Sequence, residues 1–154
     1  MNEYEEKLKR FLIDKNIQCK HLSFNQSCHS VEDAAKAANA RAEDFVKNIC
    51  MLDSDGGLIV AIVKGEDRVS TSLVGKALGI EKPRTATPGE IQQKTGYPCG
   101  GTPSFGYHAK FLIDPKVMEK EVVYSGGGSE KSLIKISPLE LKRSNGGEIV
   151  RVRK

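Results

Sequence analysis

Residues 45–64 read FVKNICML-DSDGG-LIVAIVK, two apolar runs (Phe45–Leu52 and Leu58–Lys64) joined by Asp53-Ser54-Asp55-Gly56-Gly57. The Asp-Gly-Gly segment supplies turn chemistry, so the stretch predicts an antiparallel hairpin. Sequence on both sides of it alternates between helix and strand signals. Upstream, Tyr4, Leu8, Phe11 and Leu12 fall on one helical face within Tyr4–Lys15. Ile17–Phe24 alternates weakly, as a half-buried strand does. Ser30 stands three residues before Asp33 and can cap a helix through Ala34–Ala38 that ends near Asn39.

Downstream, Ser70–Leu78 predicts a helix closed by Gly79, and Thr87-Pro88-Gly89-Glu90 opens a short one over Ile91–Lys94. Tyr97–Gly106 reads as loop. Phe111–Ile113, Glu121–Tyr124, Leu133–Ile136 and Ile149–Val152 read as strands, and Ser137-Pro138 starts a helix running to about Arg143. Strands outnumber helices and several are hairpin-linked. The expected class is α/β of the α+β type, a mixed, largely antiparallel sheet with peripheral helices. No repeat, linker or low-complexity tract divides the chain, so one domain over residues 1–154 is expected, its first 25 residues forming a packing helix and strand.

At 154 residues, 38% hydrophobic and 29% charged, the chain fits neither a disordered nor a membrane class. Leu58–Val63 is far short of a bilayer span, and the acidic start Met1–Glu6 lacks a secretory pattern. Cys19, Cys28, Cys50 and Cys99 show no CxxC pair, which favours reduced thiols and a cytoplasmic protein over a disulfide framework or zinc site. A net charge of +4 permits an anionic partner without requiring one.

Two glycine-rich stretches could bring backbone N–H groups to an anion or a developing oxyanion: Gly100-Gly101-Thr102-Pro103-Ser104-Phe105-Gly106 and Ser125-Gly126-Gly127-Gly128-Ser129. Both could equally be ordinary turns, since neither has the spacing of a nucleotide-binding loop. Lys47, inside the first strand of the hairpin, is either a solvent-facing residue or an ammonium directed into a pocket. His21, His29 and His108 are isolated in sequence, so no metal is expected; His108 follows the first glycine stretch and could line a pocket. Lys64, Arg68 and Arg84 could meet RNA phosphates or stay solvated. No GxSxG elbow surrounds any serine.

One further pattern is the order of these motifs. Val31-Glu32-Asp33-Ala34-Ala35 leads to Val46-Lys47, then to Gly65-Glu66-Asp67-Arg68 and Ala86-Thr87-Pro88-Gly89-Glu90. Gly100–Gly106, Leu112-Ile113-Asp114, Gly126–Gly128 and Ile136-Ser137-Pro138-Leu139-Glu140-Leu141 follow. From Cys28 to Arg143 this resembles the YbaK family, the prolyl-tRNA-synthetase-associated editing domains. The resemblance implies hydrolysis of a wrongly attached small amino acid, such as alanine, serine or cysteine, from the 3′ acceptor end of a tRNA such as tRNA-Pro. It implies no cofactor, and an aminoacyl-tRNA synthetase as a further partner. Within it, Lys47 falls on the family's functional lysine. Gly100, Gly101, Thr102, Pro103, Ser104, Phe105 and Gly106 fall on the family's first glycine loop, and Gly126 through Gly128 on the later one that borders the aminoacyl pocket. Backbone N–H groups of Gly100, Gly101 or residues 104–106 could then stabilise the oxyanion, while His108 is as readily a surface residue as a pocket one. In the family's first loop a proline commonly directly precedes the last x-Gly; here Ser104 holds that position and Pro103 lies one place earlier. The alternative is a non-catalytic module that binds a nucleotide or tRNA end, or a regulatory protein, on the same fold.

Overall fold

In the computed structural model, which describes residues 2–154, each element begins and ends where local chemistry dictates. Helix α1 (Glu3–Asp14) is capped by Asn2, whose side chain accepts from the Tyr4 N–H at 2.8 Å. Strand β1 (Cys19–Ser23) follows, then α2 (Val31–Ala38), capped by Ser30 and ended by Asn39 in the left-handed region at φ 53°. A 3-10 turn over Ala42–Asp44 leads into the hairpin, β2 (Val46–Leu52) and β3 (Leu58–Lys64). Asp53 Oδ1 accepts from the N–H groups of Asp55 and Gly57 at 2.9 and 2.8 Å, which fixes the tight turn and hence the register Val46↔Lys64 through Leu52↔Leu58.

Helix α3 (Thr71–Leu78) is closed by Gly79 at φ 67°. Strand β4 (Arg84–Thr85) and α4 (Pro88–Thr95) come next, α4 opening on a reciprocal capping box between Thr87 and Glu90. A 3-10 turn covers Cys99–Gly101. The chain finishes with β5 (Lys110–Ile113), α5 (Pro115–Met118), β6 (Val123–Gly126), β7 (Ser132–Ile136), α6 (Pro138–Asn145) and β8 (Glu148–Ile149).

Strands form two sheets rather than one. The larger runs β4-β2-β3-β5-β8, antiparallel from β4 to β3 and parallel from β3 to β8; the smaller runs β1-β7-β6 and is antiparallel throughout. They meet at an isolated bridge between Phe45 and Tyr124, whose rings stack at 4.9 Å. β2 and β3 are covered on both faces. Val46, Cys50, Leu52, Val60 and Ile62 enter the main core with Leu8, Leu12, Ile134 and Leu141, while Met51, Ile59, Ala61 and Val63 pack under α3 with Val74. Burial on both faces explains why LIVAIVK is a continuous apolar run and not an alternating one.

Three boundaries depart from the sequence reading. Ser125 and Gly126 extend β6 because Gly126 pairs with Leu133, so the second glycine stretch is part strand. β4 is an unforeseen strand of only two residues. The closing strand is Glu148–Ile149 and not Ile149–Val152, because the Asp114 carboxylate captures the Val152 and Arg153 N–H groups at 3.0 and 3.2 Å. No helix among the described residues is long and apolar enough to cross a membrane.

Candidate functional site

β4 pairs only with Met51 and Leu52. Pro83 precedes it and the Thr87 cap turns the chain away after it, so the β2 edge is left open between Cys50, whose carbonyl the Ala86 N–H reaches, and the Phe45–Tyr124 bridge. A cavity of about 430 Å³ occupies that gap. Its walls come from β2 on one side and Tyr124–Gly126 of β6 with Leu133 of β7 on the other. Val31 and Ala34 of α2, Pro88 and Ile91 of α4, and Gly100 and Thr102 of the glycine stretch complete it.

Lys47 lies on this wall, half-buried, with no hydrogen-bond or ion-pair partner among the described residues. Burial pushes its ammonium below the ordinary lysine pKa. Repulsion from Arg68 adds to that shift and attraction to Asp67 opposes it. An unpaired cation on a cavity wall is a site for a carbonyl or phosphate oxygen.

The next residue points the other way. Asn48 Nδ2 donates to the Thr102 carbonyl at 3.0 Å and to Ser125 Oγ at 3.3 Å, and its Oδ1 accepts from Ser104 Oγ at 2.7 Å. Ser104 and Ser125 are themselves 2.6 Å apart. One amide therefore ties β2, the first glycine stretch and β6 into a fixed floor, with Ser104 fully buried. Sequence reasoning passed over Asn48. Its only signal was a polar amide between Val46 and Cys50 on the inward side of the strand.

The glycines serve packing first. A Cβ on Gly126 would collide with the Thr102 carbonyl, and one on Gly101 would lie 2.5 Å from the Ser129 nitrogen. The two stretches are pressed backbone to backbone, and the Gly128 N–H, at φ 103°, donates to the Gly101 carbonyl at 2.8 Å. The Gly101 N–H is engaged by the Pro98 carbonyl at 2.9 Å, whereas the Gly100 N–H has no acceptor among the described residues. Behind Ser129, Glu5 of α1 accepts from Ser129 Oγ at 2.7 Å and from Ser23 Oγ at 2.6 Å, bracing the second stretch from below.

Of the residues singled out from sequence, Lys47, Gly100, Thr102 and Gly126 line the cavity together. Pro103, Ser104 and Phe105 are buried behind it, Phe105 stacking on Phe11 at 6.0 Å. Gly127 and Gly128 are buried in the packed glycine layer. Gly106 and His108 border a separate hollow with Phe11, Tyr107 and Ser144. Lys64 is paired with Glu66 at 3.0 Å, Arg84 is held bidentately by Glu90 at 2.9 and 2.6 Å, and Arg68 is exposed. The structure adds His29 to the cavity wall. Its ring lies directly over Gly100, with Nδ1 3.5 Å from Glu130. Burial, with a smaller contribution from Cys99, pushes the Cys50 thiol up to about 12, far from a reactive thiolate. No group of three or more His, Cys, Asp or Glu among the described residues could hold a metal.

A mixed α+β fold with a glycine-walled cavity and one unpaired lysine defines the class. The chain belongs to the aminoacyl-tRNA editing domain family, whose model matches residues 25–144. It is similar to the multifunctional Ser/Thr-tRNA deacylase ProXp-y of Escherichia coli K12, 28% identical over 80 residues. That match covers 49% of this chain and 48% of the relative, so the chain spans about half the length of the curated relatives it matches. Among solved structures it is similar to the hypothetical protein APE2540, with 25% identity, TM-score 0.88, and coverage of 96% and 99% of the two chains. A protein provisionally assigned as a trans-editing enzyme for prolyl-tRNA synthetase shares the fold at TM-score 0.92 and 22% identity, covering 100% and 99%.

Proposed function

We propose that this protein hydrolyses the ester joining a wrong amino acid to the 3′ end of a tRNA, acting as an editing deacylase without a cofactor. The observation that carries the reading is Lys47, a cation without a partner among the described residues on the wall of a cavity that Gly100, whose N–H has no acceptor among them, also lines. Water adds to the ester carbonyl, the tetrahedral oxyanion collapses, and the ribose oxygen leaves with a proton, giving free amino acid and tRNA.

Gly100 N–H is the donor to the oxyanion; Gly101, whose N–H is already engaged, shapes the loop and does not donate. One such donor is typically worth about 3–4 kcal/mol in the transition state. Lys47 orients the ester and offsets the charge that develops on it. Proton transfer falls to the substrate's own amine or neighbouring hydroxyl, because His29 is 57% exposed and held only loosely by Glu130.

The apolar wall of Val31, Ala34, Phe45, Ile91 and Leu133 suits a small side chain. A hydrophobic pocket separates substrates by only about 1–3 kcal/mol per methylene, which is why a second, hydrolytic site is useful. Alanine, serine and cysteine are the proposed substrates, and the Ser/Thr deacylase relative adds threonine. The test is loss of label from tRNAs charged with each of these and with proline. Hydrolysis of at least one mischarged species above the spontaneous rate supports the reading. Binding without hydrolysis of any would favour a tRNA-end-binding module instead.

A further inference from the structure

The small sheet turns one face away from the main core, and the deacylation chemistry does not use it. Residues directly opposite each other in an antiparallel sheet share a face. Register sets Lys20 opposite Lys135 and Lys135 opposite Tyr124, one row across β1, β7 and β6. The neighbouring row, Cys19, Ile136 and Val123, points into the core, so the Lys20 row points outward. Two residues along this outward face, Leu133 and Gly126 line the Lys47 cavity, as Tyr124 does. α2 covers that end, where Ala34 and Leu133 belong to one apolar cluster. The other end opens into a hollow of about 300 Å³ lined by Lys20, Lys135, Gln18, Val122 and Ser137.

Two ammonium groups held on adjacent strands repel each other. Neither has an ion-pair partner among the described residues; Lys135 Nζ lies instead 5.9 Å from the centre of the Tyr124 ring. Nearby acids do not offset the pair. Glu140, which accepts from the Gln18 N–H at 2.7 Å, is committed to Arg143, and Glu121, beside Val122, pairs with neither lysine. By contrast Lys64 and Arg84, two of the cations that sequence suggested for RNA, are neutralised by Glu66 and Glu90.

We propose that Lys20 and Lys135 bind backbone phosphates of the unpaired 3′ nucleotides of a tRNA, the strand crossing the Tyr124 row on its way into the cavity; this rests on the editing reading above. Like charges fixed side by side by register are relieved by an anion between them, and a nucleic-acid strand carries one at every nucleotide. Strands about 4.8 Å apart put Lys135 one strand and Lys20 two strands from Tyr124, a short path for a chain leaving the cavity. The contact reads no base and does not touch the reacting ester.

The test uses an uncharged RNA minihelix with an unpaired 3′ end, its binding followed by fluorescence anisotropy across a salt series. For a single strand the slope of log K against log salt is about −0.7 per phosphate neutralised, so combining Lys20→Gln with Lys135→Gln should make it shallower by about 1.4. Lys76→Gln, on α3 under the other face of the large sheet, should leave it unchanged. An unchanged slope in the double variant, an equal change in Lys76→Gln, or no minihelix binding at low salt overturns the proposal. A blunt duplex without the unpaired end should bind wild type and double variant alike; a difference there would mean that the lysines read the stem, and would overturn the unpaired end as occupant. In deacylation the double variant should raise KM about fivefold or more with kcat unchanged, since the contact is made equally in ground and transition states. A lower kcat at unchanged KM contradicts it. The minihelix carries no ester, so lysine-dependent binding without deacylation of any charged tRNA would refute the hydrolase reading alone.

Discussion

Lys47 sits where a charge costs stability: half-buried, beside Arg68, with no carboxylate bonded to it. Replacing it with methionine should leave the fold intact and raise stability by up to about 1 kcal/mol, the behaviour of a site residue retained for function. The pH dependence has a definite sign. Because the folded-state pKa lies below the ordinary 10.5, the folded protein sheds this proton before the unfolded chain does. Wild type should therefore gain stability relative to Lys47→Met as pH rises between those two values, read from paired denaturant titrations. Asn48→Ala should do the reverse at neutral pH, lowering stability by about 1–3 kcal/mol by leaving Ser104 and Ser125 short of a partner. An unchanged urea midpoint would show that the floor network does not hold the site. From its strand alone Lys47 was open to two readings, solvent-facing or directed into a pocket, and the structure places it on the cavity wall. Asn48 was not legible, since its importance comes from three residues more than fifty positions away.

Elements with strong local punctuation were readable in advance. The Ser30 cap, the Thr87–Glu90 box, Gly79 and the Asp-Gly-Gly turn all lie where the sequence puts them, because each is decided within a few residues. β4 was illegible for the opposite reason: two residues beside a proline form a strand only because the β2 edge is there to receive them. Gly126 looked like loop and is strand, its lack of a side chain set by the Thr102 carbonyl against it. Gly126→Ala should be among the most destabilising single changes, above about 3 kcal/mol, with collapse of the cavity and not only of activity.

Asp114 pins the C-terminal segment through Val152 and Arg153 while capping α5 through the Lys116 N–H. Burial alone would raise its pKa, but these hydrogen bonds prevail and hold it below 3.8. Its contribution is present above that value and lost as pH falls through the depressed folded one. Asp114→Asn should cost about 1.5–3 kcal/mol at neutral pH and remove that part of the acid-side slope.

At the scale of the molecule, the site exists because two sheets converge and one of them leaves an edge uncovered. Composition and hairpin patterning were enough to anticipate a mixed, largely antiparallel α+β fold. The division into two sheets was not legible, because it depends on long-range pairing of β1 with β7 and on the single Phe45–Tyr124 bridge. α1, although upstream of the matched family region, belongs to the same core: Leu8 is fully buried and Glu5 braces the second glycine stretch through Ser129. Glu5→Ala should loosen that stretch and reduce deacylation even though Glu5 is not on the cavity wall, with partial rescue by Glu5→Gln.

On the proposed reading, the cavity containing Lys47 hydrolyses mischarged tRNA. Its most direct test is the single-turnover deacylation rate of alanine-, serine-, cysteine- and threonine-charged tRNA by wild type and by Lys47→Ala. At least one ester should be cleared by wild type, with the variant slower by about 10²-fold or more and still folded. Equal rates for the two proteins would contradict the assigned site, and no hydrolysis of any of the four would contradict the deacylase account itself.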